Sequence, residues 1–351
     1  MLRRIPVVLT ACLLLGFAVS LASRLADTLP ATLTDREFWS LTQQLSEPNG
    51  YFVSRSGSPD NLLSNEMQIS TVAAALAKQV APSGVYLGVG PEQNFTYVAA
   101  IRPRIAFVTD IRRGNLDLHL LYKALFEISA NRSEFVARLF SRTLAAAPPR
   151  TTSAAQLMTA YSSARPVDET TFAGNLKTIV DLLTNKHGFA LTSDDRTNLE
   201  HAYRAFYQFG PEIDYTSSIN GRTGQFRNYA TLMASVDSQS GKERGYLASE
   251  DNFALIKTME SRNLIVPVVG DFAGQKALRA IGTWLKAHGA TVSVFYVSNV
   301  EDYLERNHMW PAFCANVAAM PLDRSSIFIR PNRGGSSFSP IAAETAACPS
   351  K

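Results

Sequence analysis

The sequence predicts an α/β fold: a mostly parallel sheet with helices on both faces, plus a helical insert. Three observations carry that expectation. Short apolar runs rich in β-branched residues, such as "RIAFVTD", "LIVPVV" and "TVSVFYV", alternate with segments of helical period. The stretch "YLGVGPEQNFTYVAAIRPRIAFVTD", residues 86–110, reads as strand, glycine turn, helix and a second strand ending in an acid. The 351 residues are 46% hydrophobic and 18% charged, a globular composition that can bury one large core or two smaller ones. Right-handed crossovers would place every parallel strand's carboxyl end along one edge, where open α/β sheets bind ligands.

The chain begins "MLRRIPVVLTACLLLGFAVSLAS". Arg3 and Arg4 precede an apolar run of 18 residues, Ile5 to Ala22, with small residues at Ser20, Ala22 and Ser23. Residues 1–23 therefore read as a secretory signal peptide or as an N-terminal anchor just long enough to span a bilayer. The two arginines hold the amino end inside, so the remainder is expected in the periplasm or cell envelope. "LTAC", ending at Cys12, has the look of a lipoprotein box, but most of the hydrophobic run follows it, which disfavours lipidation.

Residues 24–82 form a helical segment with the character of a lid. "LTDREFWSLTQQLSE" is a helix capped by Thr34 or Asp35. A Ser/Gly/Pro/Asp cluster follows as a loop, and Ser64, Asn65 and Glu66 in "DNLLSNE" open an apolar helix ending before Pro82. The main domain spans residues 83–335. Its elements are a strand at "GVYLGVG", the helix "EQNFTYVAAIRP", the strand "RIAFVTD" and a long helix from Leu116. Pro148 and Pro149 break the pattern, and residues 150–210 read as an inserted helical cap. The polar, glycine-punctuated stretch 211–246 reads as a functional or mobile loop. Alternation resumes with a strand at "GYLAS", the helix "EDNFALIKTMESRN", the strand "LIVPVVGDF", the helix "GQKALRAIGTWLKAHG" and the strand "TVSVFYVS". A helix at "WPAFCANVAAM" and a strand at "SSIFIRP" close the domain, leaving residues 336–351 as a tail.

The charges exclude some classes of function. A net charge of +4, falling to +2 if Arg3 and Arg4 are removed, and the absence of a basic run give no nucleic-acid footprint. Five scattered histidines with no His-x-x-x-His or Cys-x-x-Cys spacing argue against a metal site. Outside the leader only Cys314 and Cys348 remain; they form one disulfide in an oxidising compartment or stay as two thiols. No Gly-x-Ser-x-Gly elbow supports a hydrolase triad.

The candidate site grows from Gly88-Val89-Gly90-Pro91. Glycine permits positive φ and close backbone approach, Pro91 suits a first helical position, and free N–H groups there can meet a ligand. Asp110, 20 residues after Gly90 at the end of the next strand, is placed to accept both hydroxyls of a ribose. Asn94 and Arg112 neighbour the same site. The alternative is a tight turn with an acid paired to Arg112 or Arg113. Other strand ends add Gly270 and Asp271, then Tyr296, Ser298 and Asn299, and "DNLLSNE" brings Asn65 and Glu66 as second-ligand candidates. Ser249 reads as a helix cap, and His119 and Lys123 as structural residues of the Leu116 helix.

The order strand, Gly-x-Gly, helix, strand-Asp and a later strand ending "GDF" resembles class I S-adenosylmethionine-dependent methyltransferases. Residues 86–127, with "DNLLSNE" and "VVGDFAG", also resemble a family of uncharacterised, mostly exported bacterial proteins, over about residues 35–335. The resemblance implies a methyltransferase-like Rossmann fold with no established reaction and, from the broader class, S-adenosylmethionine as the cofactor. Gly88 and Gly90 would then face its amino acid part, Asp110 its ribose, and Asp271 would follow strand four, near substrate. The missing third glycine and the absence of an Asp-Pro-Pro-Tyr-type motif depart from that pattern. Three readings follow: a cofactor-dependent enzyme, an envelope protein that repurposed the cleft for another small ligand, and an interaction protein that binds a partner through the insert.

Overall fold

The computed structural model describes residues 27–51, 61–217, 226–332, 335–346 and 348. The expected signal peptide or anchor lies outside them. Among the described residues no helix is long and apolar enough to cross a membrane.

The main sheet has six strands: β1 (Val85–Gly88), β2 (Ile105–Asp110), β5 (Ile265–Val269), β6 (Val292–Tyr296), β7 (Leu322–Asn332) and β8 (Gly335–Pro340). They lie in the order β5-β2-β1-β6-β7-β8. All neighbours are parallel except β7 and β8, which pair antiparallel. Every residue of β1, β2 and β5 is buried, which is why these strands read as unbroken apolar runs. Two-residue strands β3 (Arg142–Thr143) and β4 (Arg165–Pro166) form a separate ribbon.

The helices are α1 (Asp35–Leu45), α2 (Ile69–Gln79), α3 (Gln93–Ile101), α4 (Arg113–Ile128), α5 (Arg132–Leu139), α6 (Ala154–Ser162), α7 (Glu169–Asp181) and α8 (Ser193–Phe209). They continue with α9 (Tyr229–Met233), α10 (Glu250–Ser261), α11 (Ala277–Ala287), α12 (Val300–Arg306), α13 (Trp310–Ala318) and α14 (Ile341–Ala346). The α2, α3, α4 and α10 helices pack together, as do α11 and α13; right-handed crossovers put the two groups on opposite faces. The α1 helix runs along the edge strand β5, its Thr34 forming a reciprocal capping box with Glu37. Covering that edge removes an open row of backbone donors and acceptors.

Five expectations need correction. "GYLAS" is not a strand: Tyr246 and Leu247 are buried, but their backbone turns instead of joining the sheet. Residues 64–66 do not open α2, which starts at Ile69 after Gln68 in the left-handed region (φ 61°). They are held away from it by contacts to Glu92, after the β1 turn, and to the end of β6, described below. Residues 336–351 are not merely a tail, because β8 pairs with β7 and α14 packs on it. Helices make up more than half of the described chain between β2 and β5, from α4 to α10, so the expected 150–210 insert is the middle of a longer excursion. Within the loop expected at 211–246 lies α9, whose Tyr229 is buried against Tyr246.

Cys314 in α13 and Cys348 are joined by a disulfide with Cα atoms 5.8 Å apart. It fastens the end of the chain to the helix that follows α12.

Candidate functional site

A cleft of about 380 Å3 opens at the carboxyl edge of the sheet. Counted within the sheet, β1 and β6 are the first and fourth strands and lie side by side. Chain direction across the sheet reverses there, and the turns leaving the two strands separate to form a crevice.

The β1 turn is fixed by side chains beneath it. Asn94 is fully buried and donates from Nδ2 to the carbonyls of Val89 (3.0 Å), Gly90 (3.1 Å) and Pro91 (2.7 Å). Its Oδ1 accepts from the Tyr86 hydroxyl at 2.8 Å. A Cβ at Gly88 would lie 2.0 Å from that same Oδ1, so Gly88 makes room for the Asn94 clamp and does not line the cleft. Gly90 does line it, in a positive-φ conformation (77°) that glycine adopts without strain. From behind, Nε2 of His119 meets the Gly90 carbonyl at 2.9 Å. Burial pushes the His119 pKa down to about 4, so the ring is neutral at neutral pH. Because a carbonyl only accepts, Nε2 carries the proton. The α3 helix starts at Gln93, with Pro91 just ahead of its cap.

Toward β2 and β5 the cleft meets two aspartates. Asp110 Oδ1 accepts from Arg112 N (3.0 Å) and Nε (3.3 Å), while Oδ2 takes no donor from a described residue. Arg113 points elsewhere, to Asp195 at 2.8 and 3.1 Å. Asp271 lines the cleft after β5, its Oδ1 accepting from Ala273 N at 2.9 Å. Since "GYLAS" is no strand, β5 is the third strand of the sheet, not the fourth, and Asp271 sits one strand beyond Asp110 on the side away from β6. The turn into α11 is filled by Glu47, whose carboxylate accepts from Asp271 N (3.0 Å), Lys276 N (2.8 Å) and Ala277 N (2.8 Å). A negative charge at a helix N-terminus is favourable, and Glu47 supplies it from within the chain.

The true fourth strand, β6, ends in Tyr296, followed by Ser298 and Asn299 at the cleft wall. Behind them lies Glu66, whose Oε1 accepts from the Tyr296 hydroxyl (2.5 Å) and from Ser298 (3.0 Å). Burial raises the Glu66 pKa against the opposing effect of those two donors. Gln93 donates from Nε2 to Val89 O (3.0 Å) and to the Tyr296 hydroxyl (3.3 Å). Glu92 is fully buried beside Ser64, accepting from its N–H at 3.1 and 3.3 Å, and burial lifts its pKa to about 8. Residues 61–66 are thus pinned between the β1 turn and β6, bringing Asn61, Ser64 and Asn65 to the cleft. On the rim stands Tyr51, 81% exposed.

The fold therefore brings Asn65, Gly90, Asp110, Asp271, Tyr296 and Asn299 onto one cleft. Gly88, Asn94, Arg112 and Glu66 stand behind the wall as supports. Sequence reasoning missed Gln93, Glu92, Asn61 and Glu47. One signal was available for the first two: "EQN" opens the helix "FTYVAAI", apolar nearly all round as a buried helix is, and residues 93–99 are all buried. Ser249 caps α10 as expected, accepting from Asn252 N at 3.1 Å, and Lys123 pairs with Glu127.

Fold and site together define an α/β protein with a Rossmann-like six-stranded sheet and a ligand-sized cleft at its switch point. The chain belongs to a family described as a domain of unknown function (DUF7790), which matches residues 62–205 and 214–346. No curated protein matches it.

Proposed function

We propose that the cleft binds a nucleoside-bearing ligand of the S-adenosylmethionine type and that the protein is a methyltransferase-like member of its family. One observation carries this reading: the described residues lining the cleft include Asp110 and Asp271 and no lysine, arginine or histidine. A dinucleotide or nucleoside triphosphate would bring phosphates to a wall of carboxylates, with Glu47 already holding the α11 N-terminus. A sulfonium cation with a ribose brings no phosphate and a favourable charge. The residues fit such a ligand. Asp110 Oδ2 takes no described donor and is available to a ribose hydroxyl, and Gly90 lets the ligand approach the backbone. The bound ligand would supply an electrophilic methyl group; the chain's own residues bind and orient it.

Calorimetric titration of the purified protein with S-adenosylmethionine, with NAD as the phosphate-bearing control, tests the reading. Saturable binding that is lost in Asp110→Ala and not reproduced by NAD is the expected result. A thermal shift gives a second readout, since ligand at 100 times its dissociation constant stabilises a fold by about 2.7 kcal/mol. NAD binding in preference to S-adenosylmethionine would reject it. Binding without methyl transfer to any acceptor would favour a ligand-binding protein that has repurposed the fold.

We also infer export through residues 1–23. The Cys314–Cys348 disulfide supports an oxidising compartment. Mass spectrometry of the amino terminus in fractionated cells checks this; full-length protein in the cytosol would contradict it.

A further inference from the structure

The β6 end of the cleft holds an acceptor that no described residue satisfies. Gln93 is 2% exposed, lines the cleft, and its Oε1 has no hydrogen-bond partner. Its amide orientation is fixed chemically, because the nitrogen must donate to the Val89 carbonyl at 3.0 Å. Leaving a buried acceptor unpaired is costly, so the site is built for a donor. Beside it, the Tyr296 oxygen both donates and accepts. Its own proton goes to Glu66 Oε1 at 2.5 Å, and it accepts only the long 3.3 Å contact from Gln93 Nε2. Gln93 Nε2 keeps its bond to Val89, so a closer donor can take that place on Tyr296, next to the orphaned oxygen of Gln93.

We propose that this end of the cleft is a proton-accepting subsite for the amino group of a second substrate, with Tyr296 taking the proton and Glu66 storing it. A neutral –NH2 carries two hydrogens, one for Gln93 Oε1 and one for Tyr296 Oη. A hydroxyl has one hydrogen and would leave the glutamine unsatisfied. The substrate class is therefore a primary amine. With an electrophilic methyl group bound, the amine's lone pair would form the bond to the methyl carbon as the leaving bond breaks, its pair going to the leaving atom. The N–H proton would then pass to Tyr296 Oη as the tyrosine's proton passes to Glu66 Oε1, its bonding pair staying on nitrogen. The carboxylate would end protonated, the methyl donor would lose its positive charge, and the charges would balance. The identity of the electrophile rests on the ligand reading above; the proton path does not.

The groups facing Glu66 suit a proton store. Tyr296 and Ser298 donate to it, Tyr86 and Tyr97 lie close enough to feel its charge, and no lysine or arginine among the described residues acts on it. A carboxylate locked by a cation would stay ionised.

The test is infrared titration of the ligand-free protein, with the Glu66 carboxyl band assigned by its loss in Glu66→Gln. Should that variant fail to fold, Tyr296→Phe and Ser298→Ala identify the band by its shift. The expected result is that Glu66 changes protonation state within the pH range where the fold survives, and that its midpoint rises in Tyr296→Phe. A carboxyl that keeps one protonation state throughout that range would overturn the proposal. Calorimetry on Gln93→Leu separates the two readings. S-adenosylmethionine affinity within twofold of wild type is expected, because Gln93 serves the second substrate. A tenfold or greater loss would assign Gln93 to the first ligand's own amino group and remove the second subsite. Titration of Glu66 in a protein that binds no S-adenosylmethionine would leave the relay standing and reject only the first ligand.

Discussion

His119 Nε2 sits 2.9 Å from the carbonyl oxygen of Gly90, joining the buried face of α4 to the one glycine of the β1 turn that lines the cleft. The position of the cleft floor thus depends on a histidine that never reaches the cleft.

That contact makes stability depend on pH. In the unfolded chain His119 takes up a proton near its ordinary value of 6.5, whereas burial depresses its folded value to about 4. The unfolded state therefore binds more protons, and stability falls as pH drops from about 6.5 toward 4. Denaturation midpoints measured across this interval should fall less steeply in His119→Gln than in wild type. Parallel curves would show that the histidine does not carry the acid limb.

Gly88 and Gly90 should respond differently to alanine. At Gly88 a Cβ would strike Asn94 Oδ1 and break a clamp on three carbonyls, whereas at Gly90 the chief cost is the positive φ. Chemical denaturation should give about 2–3 kcal/mol for Gly88→Ala or Asn94→Ala and about 1 kcal/mol for Gly90→Ala. The reverse order would contradict the clamp.

Glu47 accepts three backbone N–H groups at the turn that carries Asp271. Glu47→Ala is expected to cost about 2 kcal/mol, since hydrogen bonds to a charged group are worth about 1.5–3 kcal/mol. Glu47→Gln should lose less. Thermal unfolding of both variants checks this, and a neutral Glu47→Ala would show that solvent satisfies the turn equally well.

The Cys314–Cys348 bond closes a separation of 34 residues. Loop entropy puts its contribution near 3–4 kcal/mol. Reduction, or a Cys314→Ala, Cys348→Ala double variant, should lower the unfolding midpoint accordingly. An unchanged midpoint would mean that β8 and α14 hold the chain end without it.

Much of the sheet was legible because β1, β2 and β5 are buried at every position and β6 at all but Ser293, so these strands are largely apolar runs. The segment "GYLAS" misled because Tyr246 and Leu247 are as buried as any strand residue, yet they lie in a turn, where the Tyr246 hydroxyl meets that of Tyr229. That single miscount moved Asp271 from the third strand to the fourth. The strand β8 was illegible for the opposite reason: "GSSFSP" is a polar edge strand with little apolar pattern. At the site, Gly90, Asp110 and Tyr296 were readable from their places at strand ends. Glu47, beneath the turn that carries Asp271, and Asn61, on the cleft wall, were not, because they come from N-terminal loops whose position is set by long-range contacts.

The Tyr296–Glu66 bond spans 230 positions of the chain. Residues 61–66 are made early, but their partner on β6 emerges only after the whole helical excursion. Contacts of such separation form slowly, because the intervening chain must first be ordered. The β1–β2 pair and the Asn94 clamp join residues close in sequence, while the cleft's far wall waits for the last third of the chain. Binding competence should be the latest property to appear during folding, arriving after most secondary structure is in place.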